Sequence, residues 1–344
     1  MKRLLIFLLS IFNLYSITLS GPLATVKLTD TEIVNKSSVK QKIKLLESQK
    51  GSKLTDQEKK SLVDGEVNSI LILQDAKKNG IEVLEQEVNA EIDKIKAQQG
   101  ITQDQFETYI KENTGIAYKD YFQNFKNSLI QQKYILKKNP NLSKELKQPS
   151  NKEVETLYQK NAASYVSPAM IRIEQLFINT AGMSSAEKDN AKKKMYSFYN
   201  QIKKGGKKVF DSLISKSLDD VSYEGGDAGY IPLSDNYKAP YVNTFGESFY
   251  DKVTSLSKEG AFTSILSSKV GYHIIFLKEK RDPKLLKLSD PVSPGQKVTV
   301  KDYIVNMLMN QKQQELIINT TKKIVEDLRK KATIKINQNE LKTL

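Results

Sequence analysis

A chain of 344 residues is too long for one small core and implies two or three domains. Its 54 Lys and Arg against 40 Asp and Glu give a formal net charge of +14, and it holds one histidine and no cysteine. No cysteine means no disulfide, no thiol nucleophile, no Cys-ligated zinc and no cysteine-borne lipid anchor; one histidine excludes a His-rich metal site. No metal and no cofactor is expected.

Met1-Lys2-Arg3, the apolar run Leu4 to Leu14 and the small polar residues Ser16 to Ser20 read as a secretory signal over residues 1–20, with cleavage expected after Ser20. The alternative is an uncleaved anchor. The expected compartment is the periplasm, reached by export. The lysines are spread along the chain, so a solvated basic surface accounts for most of the charge, with peripheral membrane contact as a further use of it. Nucleic acid is not expected as a partner, because the chain is exported and shows no nucleic-acid motif.

Residues 25 to 34 read as a short strand or hairpin. Thr55-Asp56-Gln57-Glu58 is a capping box opening a helix with Val63, Val67, Ile70 and Leu71 on one face, stopped at Asn79-Gly80. Val88, Ile92 and Ile95 mark a helix ending at Gly100. Thr102 to Gln105 caps the next, and Tyr118, Phe122, Phe125 and Leu129 mark a fifth that ends near Pro140. Ser150 and Glu153 cap a helix that Pro168 stops. From Ala169 the pattern changes: a strand over 171–178, a helix from Ser184 closed by Gly205-Gly206, a helix over 209–217, a glycine-rich loop leading to Tyr230, a helix over 249–256 and a strand over 271–277. A long helix over 300–331 and an alternating tail at 332–336 close the chain. The expected fold class is α+β, a mainly helical module with one inserted α+β domain. Its divisions are 1–20 signal, 21–150 helical module, 151–168 linker helix, 169–281 α+β domain, 282–299 linker and 300–344 C-terminal helix and strand completing the helical module.

The segments Gly225-Gly226-Asp227-Ala228-Gly229-Tyr230 and Gly271-Tyr272-His273-Ile274-Ile275 carry a resemblance. With Ile171-Arg172, Phe210, Ser217-Leu218-Asp219, Phe249, Leu256 and Gly260 they resemble the parvulin-type (PpiC) peptidyl-prolyl isomerases over residues 169–281, about a third of the chain. Asp75-Ala76-Lys77-Lys78-Asn79-Gly80-Ile81 and the stretch Leu328 to Ile336 more loosely resemble the chaperone module of SurA- and PrsA-type proteins, in which the last helix and strand return to complete the N-terminal module.

The resemblance implies a folding factor for unfolded exported or outer-membrane proteins, with peptidyl-prolyl isomerase activity and with clients held as extended apolar segments between the two modules. It places His273 at the second histidine, Asp219 at the Asp/Cys position, Ser268 at the hydroxyl, and Phe249 and Phe245 in the proline pocket. Gln175 stands where the first histidine is usual, and Ala228 where a pocket leucine is usual. Gln175 can donate and accept together, whereas Ala228 widens the pocket, so reduced turnover is expected. Two alternatives stand beside this reading: a non-catalytic chaperone with a degenerate parvulin domain, and an envelope-surface binding protein. Read without the resemblance, His273 is a core histidine, Asp219-Asp220 an acidic turn, and Phe245 and Phe249 an i, i+4 core pair on one helix.

Overall fold

A computed structural model describes residues 22–344, so the signal expected over residues 1–20 lies outside the described residues. In chain order the elements are β1 (Pro22–Lys27), β2 (Thr31–Asn35), α1 (Lys36–Lys50), α2 (Asp56–Lys78), α3 (Glu85–Gln99), α4 (Gln103–Thr114), α5 (Tyr118–Lys138) and α6 (Leu142–Glu145). There follow α7 (Asn151–Lys160), β3 (Val166–Ser167), β4 (Met170–Asn179), α8 (Ser185–Lys216), β5 (Glu224–Pro232), α9 (Asp235–Phe245), α10 (Glu247–Thr254), β6 (Leu266–Ser267), β7 (Gly271–Arg281) and β8 (Lys284–Leu285). The chain closes with α11 (Val300–Lys331), β9 (Thr333–Ile336) and α12 (Gln338–Leu341). The class is mixed α+β, as expected. The chain divides into two compact units, residues 1–147 with 309–344 and residues 148–308, so α11 serves both.

In the first unit, β1 lies between β2 and β9 and pairs antiparallel with each. Ala24 faces Ile336 and Val26 faces Ile334, which joins the two ends of the described chain in one sheet. Leu23, Val26, Val67, Leu71 and Ala76 are buried with Tyr134 of α5 and Val325 and Leu328 of α11. The segment from Asp75 to Ile81 has a local physical reason. Asp75 accepts a hydrogen bond from the Tyr134 hydroxyl at 2.5 Å and pairs with Lys138 at 2.9 Å, which ties α2 to α5. Ala76 is fully buried, where a larger side chain would hold the helices apart. Asn79 ends the helix, Gly80 turns with φ 63°, and the Ile81 N–H returns to the Ala76 carbonyl while the Gly80 N–H returns to Lys77: a Schellman stop. A second cluster, Val88, Ile92, Phe106, Ile110, Tyr121 and Phe125, packs α3, α4 and α5. Helix α1 shows no side-chain cap bond at Asn35, and no sequence reading anticipates it.

In the second unit a four-stranded antiparallel sheet runs β5-β4-β7-β6. Alternation along β4 and β7 divides its side chains between two cores. Leu176, Ile178, Ile274 and Phe276 meet α8 on one face, and Ile171, Ile173, Ile275 and Leu277 meet α10 and the edge of α9 on the other. Two expectations are corrected here. The glycine-rich stretch 225–229 is part of strand β5, because pairing with β4 supplies the backbone bonds that local propensity does not. Gly205-Gly206 ends one helical segment of α8 as expected: Gly206 takes φ 58° and ψ −146°, and a second helical segment follows it. Phe245 and Phe249 do not share a helix, since Gly246 with φ 96° and ψ 155° separates α9 from α10. The segment expected as a linker after residue 282 is also structured: Leu285 pairs with Val166, and Leu286, Leu288 and Val292 pack on Val154, Tyr165, Val300 and Ile304.

Gln74, on α2 and 3% exposed, holds the β1–β2 turn with a full set of bonds. Its Oε1 accepts from the N–H groups of Leu28 and Thr29 at 2.9 and 3.0 Å, and its Nε2 donates to the Asp30 carbonyl and to Glu32, both at 2.8 Å. Gln74→Ala strands two backbone donors at a part-buried site, and each such loss costs about 1–3 kcal/mol. Chemical denaturation of that variant is expected to show a loss of at least about 1 kcal/mol.

Candidate active site

The site forms on the sheet face that packs against α9 and α10. His273 lies on β7 directly across from Phe177 of β4, while Gln175 lies two residues before Phe177 and projects to the same face. Gly271 makes this register attainable. A Cβ there would stand 2.0 Å from the carbonyl oxygen of Ile178, so only glycine lets the two strands approach at the entry to β7. Gly225 plays the corresponding part between β5 and α8, where a Cβ would fall 2.9 Å from the Cα of Ile214.

His273 is completely buried, and both ring nitrogens are occupied. Nε2 lies 2.8 Å from the Ser268 hydroxyl, and Nδ1 lies 3.2 Å from Oε1 of Gln175. Ser268 also accepts from the N–H groups of Val270 and Gly271, each at 3.1 Å, and its hydroxyl reaches the Gly271 carbonyl at 3.2 Å as well as His273. The tautomer is set by Oε1 of Gln175, an acceptor that requires a proton on Nδ1. That assignment makes Nε2 the acceptor and Nδ1–H the donor to Gln175, a neutral imidazole in one tautomer. Three phenylalanines enclose the ring: Phe177 stacks at 4.5 Å and 21°, Phe249 tilts over it at 4.7 Å, and Phe245 meets it edge-on at 5.8 Å. Phe249 is buried, whereas Phe177 and Phe245 are half-buried and keep apolar surface open. The Lys269 N–H donates to the Phe245 carbonyl at 3.0 Å, which ties the end of α9 to the turn before β7. Burial lowers the His273 pKa from the ordinary 6.5 to about 4.

Five of the seven expected site residues therefore come together: Gln175, Ser268, His273, Phe245 and Phe249. Asp219 stands in the turn after α8 with its side chain exposed, its own N–H donating to the Lys216 carbonyl at 3.1 Å, and it makes no hydrogen bond to this cluster. Ala228 is exposed and is the extra residue of a bulge, since Gly229 faces Ile173 while Asp227 faces Glu174. Asp227 secures that bulge, accepting from the Gly229 N–H at 2.9 Å and pairing with Arg172 at 2.5 Å. Phe177 escaped the sequence reading. Its signal was there: on a strand that places Gln175 in the site, the residue two positions on shares the face.

The arrangement can hold a small apolar ring against Phe177 and Phe245 and present a polar group beside it. Oε1 of Gln175 is committed to His273, and among the described residues its Nε2 has no partner, leaving a half-buried amide donor at the edge of an aromatic wall. His273, fully enclosed and neutral, supports that amide and has no route to exchange a proton with a ligand.

The protein's single imidazole gives one titration to follow by NMR in an untagged sample. Its midpoint is expected near 4. Because the folded state holds this ring neutral and the unfolded chain protonates it near 6.5, stability is full above about 6.5, falls as the pH drops toward 4 and levels off below. Relative to His273→Gln, the wild type should lose on the order of 3 kcal/mol across that window.

Residues 156–281 match the PPIC-type PPIASE domain, and residues 4–135 match the SurA-like N-terminal domain. The foldase protein PrsA of Clostridium botulinum strain Loch Maree is 26% identical over 301 residues, covering 86% of this chain and 78% of that one, and the strain Okra protein is 25% identical over the same span. Among solved structures, a SurA-like chaperone of Campylobacter jejuni is 16% identical, with 93% of this chain and 100% of that one covered and a TM-score of 0.39. PrsA from Bacillus subtilis is 16% identical, with coverages of 93% and 97% and a TM-score of 0.24. The chain thus carries a PPIC-type peptidyl-prolyl isomerase domain behind a SurA-like N-terminal domain, and over most of its length it is similar to the PrsA foldases.

Proposed function

We propose that this foldase binds unfolded exported polypeptides, outer-membrane proteins among them, and turns their X–Pro bonds at the Gln175–His273–Ser268 site. The carrying observation is the unpartnered Nε2 of Gln175 beside the open apolar surfaces of Phe177 and Phe245. Resonance keeps the X–Pro amide planar behind a barrier of about 18–20 kcal/mol, and uncatalysed exchange takes tens to hundreds of seconds. Twisting the bond localises the nitrogen lone pair. A fixed N–H donor in a site with little water favours that twisted form over the planar one, which is the differential binding catalysis requires. In this reading Phe245, Phe249 and Phe177 take the proline ring, Gln175 donates, and His273 with Ser268 holds Gln175 in its rotamer. Ala228 and Asp219 belong to the set by their family positions, Ala228 as a pocket residue and Asp219 as a carboxylate at the rim. The basic start and apolar run of residues 1–20 support an exported, periplasmic location.

Proline-limited refolding, together with exchange NMR on a short X–Pro peptide, tests this. Wild type is expected to accelerate the slow phase. Gln175→Leu should lower kcat/KM by roughly tenfold or more, chiefly in kcat, because the lost bond belongs to the twisted state. Phe245→Ala should act mainly on KM, and Asp219→Ala should slow turnover less than Gln175→Leu. An unchanged slow phase with wild-type protein removes the isomerase role.

The client-binding role is tested apart from it. Equimolar protein should suppress aggregation of an unfolded β-barrel client, and Gln175→Leu should suppress it as well as wild type. The full burial of His273 and the glutamine at position 175 favour a second reading, a chaperone with little turnover, which predicts this protection with no acceleration.

A further inference from the structure

Away from the cleft, one helix face gathers a single chemistry. The first segment of α8 buries Ala191, Met195, Phe198 and Ile202 against the sheet. At 100° per residue the opposite face presents Lys192, Lys193, Lys203 and Lys204 around Tyr196 and Asn200, while Lys188, one turn before Lys192, lies at the side of the helix. All five lysines are exposed, and Tyr196 is 51% exposed. Among the described residues none of these five is paired with a carboxylate. The remaining α8 lysines near the sheet behave differently: Lys194 pairs with Asp220, and Lys207 pairs with Glu174 and Asp211. One acid, Asp189, shares the outward face.

From residue 192 to 204 the strip runs about 18 Å at 1.5 Å per residue. Its cations are flexible point charges spread along the helix, and the depression that Lys193, Tyr196, Asn200 and Lys204 line is shallow and open to solvent. A single anion would need convergent donors, and an extended acidic peptide would need a groove. A plane of phosphates needs neither, and an amphipathic tyrosine among lysines suits the level of lipid headgroups. We propose that the outward face of α8 docks the protein on an anionic phospholipid bilayer, with Lys192, Lys193, Lys203 and Lys204 among the headgroup phosphates and Tyr196 at their depth. Because α8 covers the sheet face opposite the one that carries His273, docking there leaves the isomerase cleft turned away from the lipid. The contact does not depend on turnover.

The test is co-sedimentation of the full chain with vesicles of phosphatidylglycerol and phosphatidylcholine, and of phosphatidylcholine alone. Wild type should bind only the anionic vesicles and be released by salt. Replacing Lys192, Lys193, Lys203 and Lys204 by Gln should weaken binding by roughly a hundredfold or more. A second variant with Gln at Lys111, Lys119, Lys322 and Lys323, exposed lysines on α4, α5 and α11, loses the same charge and should change it by less than about threefold. The chain has no tryptophan, so Tyr196→Trp gives a single reporter whose emission should shift to the blue on anionic vesicles. Equal losses in the two quadruple variants would reduce the effect to net charge and overturn the assignment. So would an unmoved tryptophan, or binding to soluble polyglutamate as tight as to vesicles, which would identify an acidic polymer as the partner. Unchanged circular dichroism confirms that each variant is folded.

Discussion

The second unit is organised around one satisfied, buried imidazole. An apolar site accepts His273 because each ring nitrogen has a partner and the ring stays neutral; without Ser268 or Gln175 a buried polar atom would be stranded. Satisfying it fixes several things together. It sets the Gln175 rotamer on β4, it pins the turn at Ser268 that begins β7, and it leaves a flat ring for Phe177 and Phe249 to pack against. The glycine at 271 is part of the same constraint, since the strands can close on the ring only where no Cβ stands between them. The site's geometry is therefore a property of the core, not of a mobile loop.

This bears on what one carboxamide can do beside a buried imidazole. Gln175 carries an acceptor and a donor on one planar group, so it can answer His273 with one end and face the cleft with the other. A second imidazole could also do both, but it would bring a titration of its own. With glutamine in place and His273 held neutral, the cleft keeps one protonation state across the physiological range.

Local signals were the legible ones. The capping boxes at Thr55, Thr102, Ser150 and Ser184 all form, because each needs only a side chain and a backbone three residues apart. The long helix over 300–331 was equally readable. What stayed hidden depends on pairing at a distance. Strand β5 reads as loop because its glycines have no strand propensity and borrow their order from β4. Helix α9 carries Pro240 and buries no residue completely, so neither composition nor periodicity marks it. At the site, the residue types were readable from the motif, while their convergence on His273 required the β4–β7 register. Phe177 shows the gap: it is adjacent in space only once residue 177 is known to face residue 273.

The β1–β9 ladder carries a consequence for biogenesis. Residues 24 to 27 find their outer partner only at residues 333 to 336, so this edge of the sheet cannot close until about three hundred more residues have been synthesised. The isomerase-bearing unit is continuous in sequence over 148–308 and faces no such wait. Emergence from the ribosome thus imposes an order, with the inserted unit able to mature while its host remains unsealed and β1 offers an unpaired edge to any extended chain nearby.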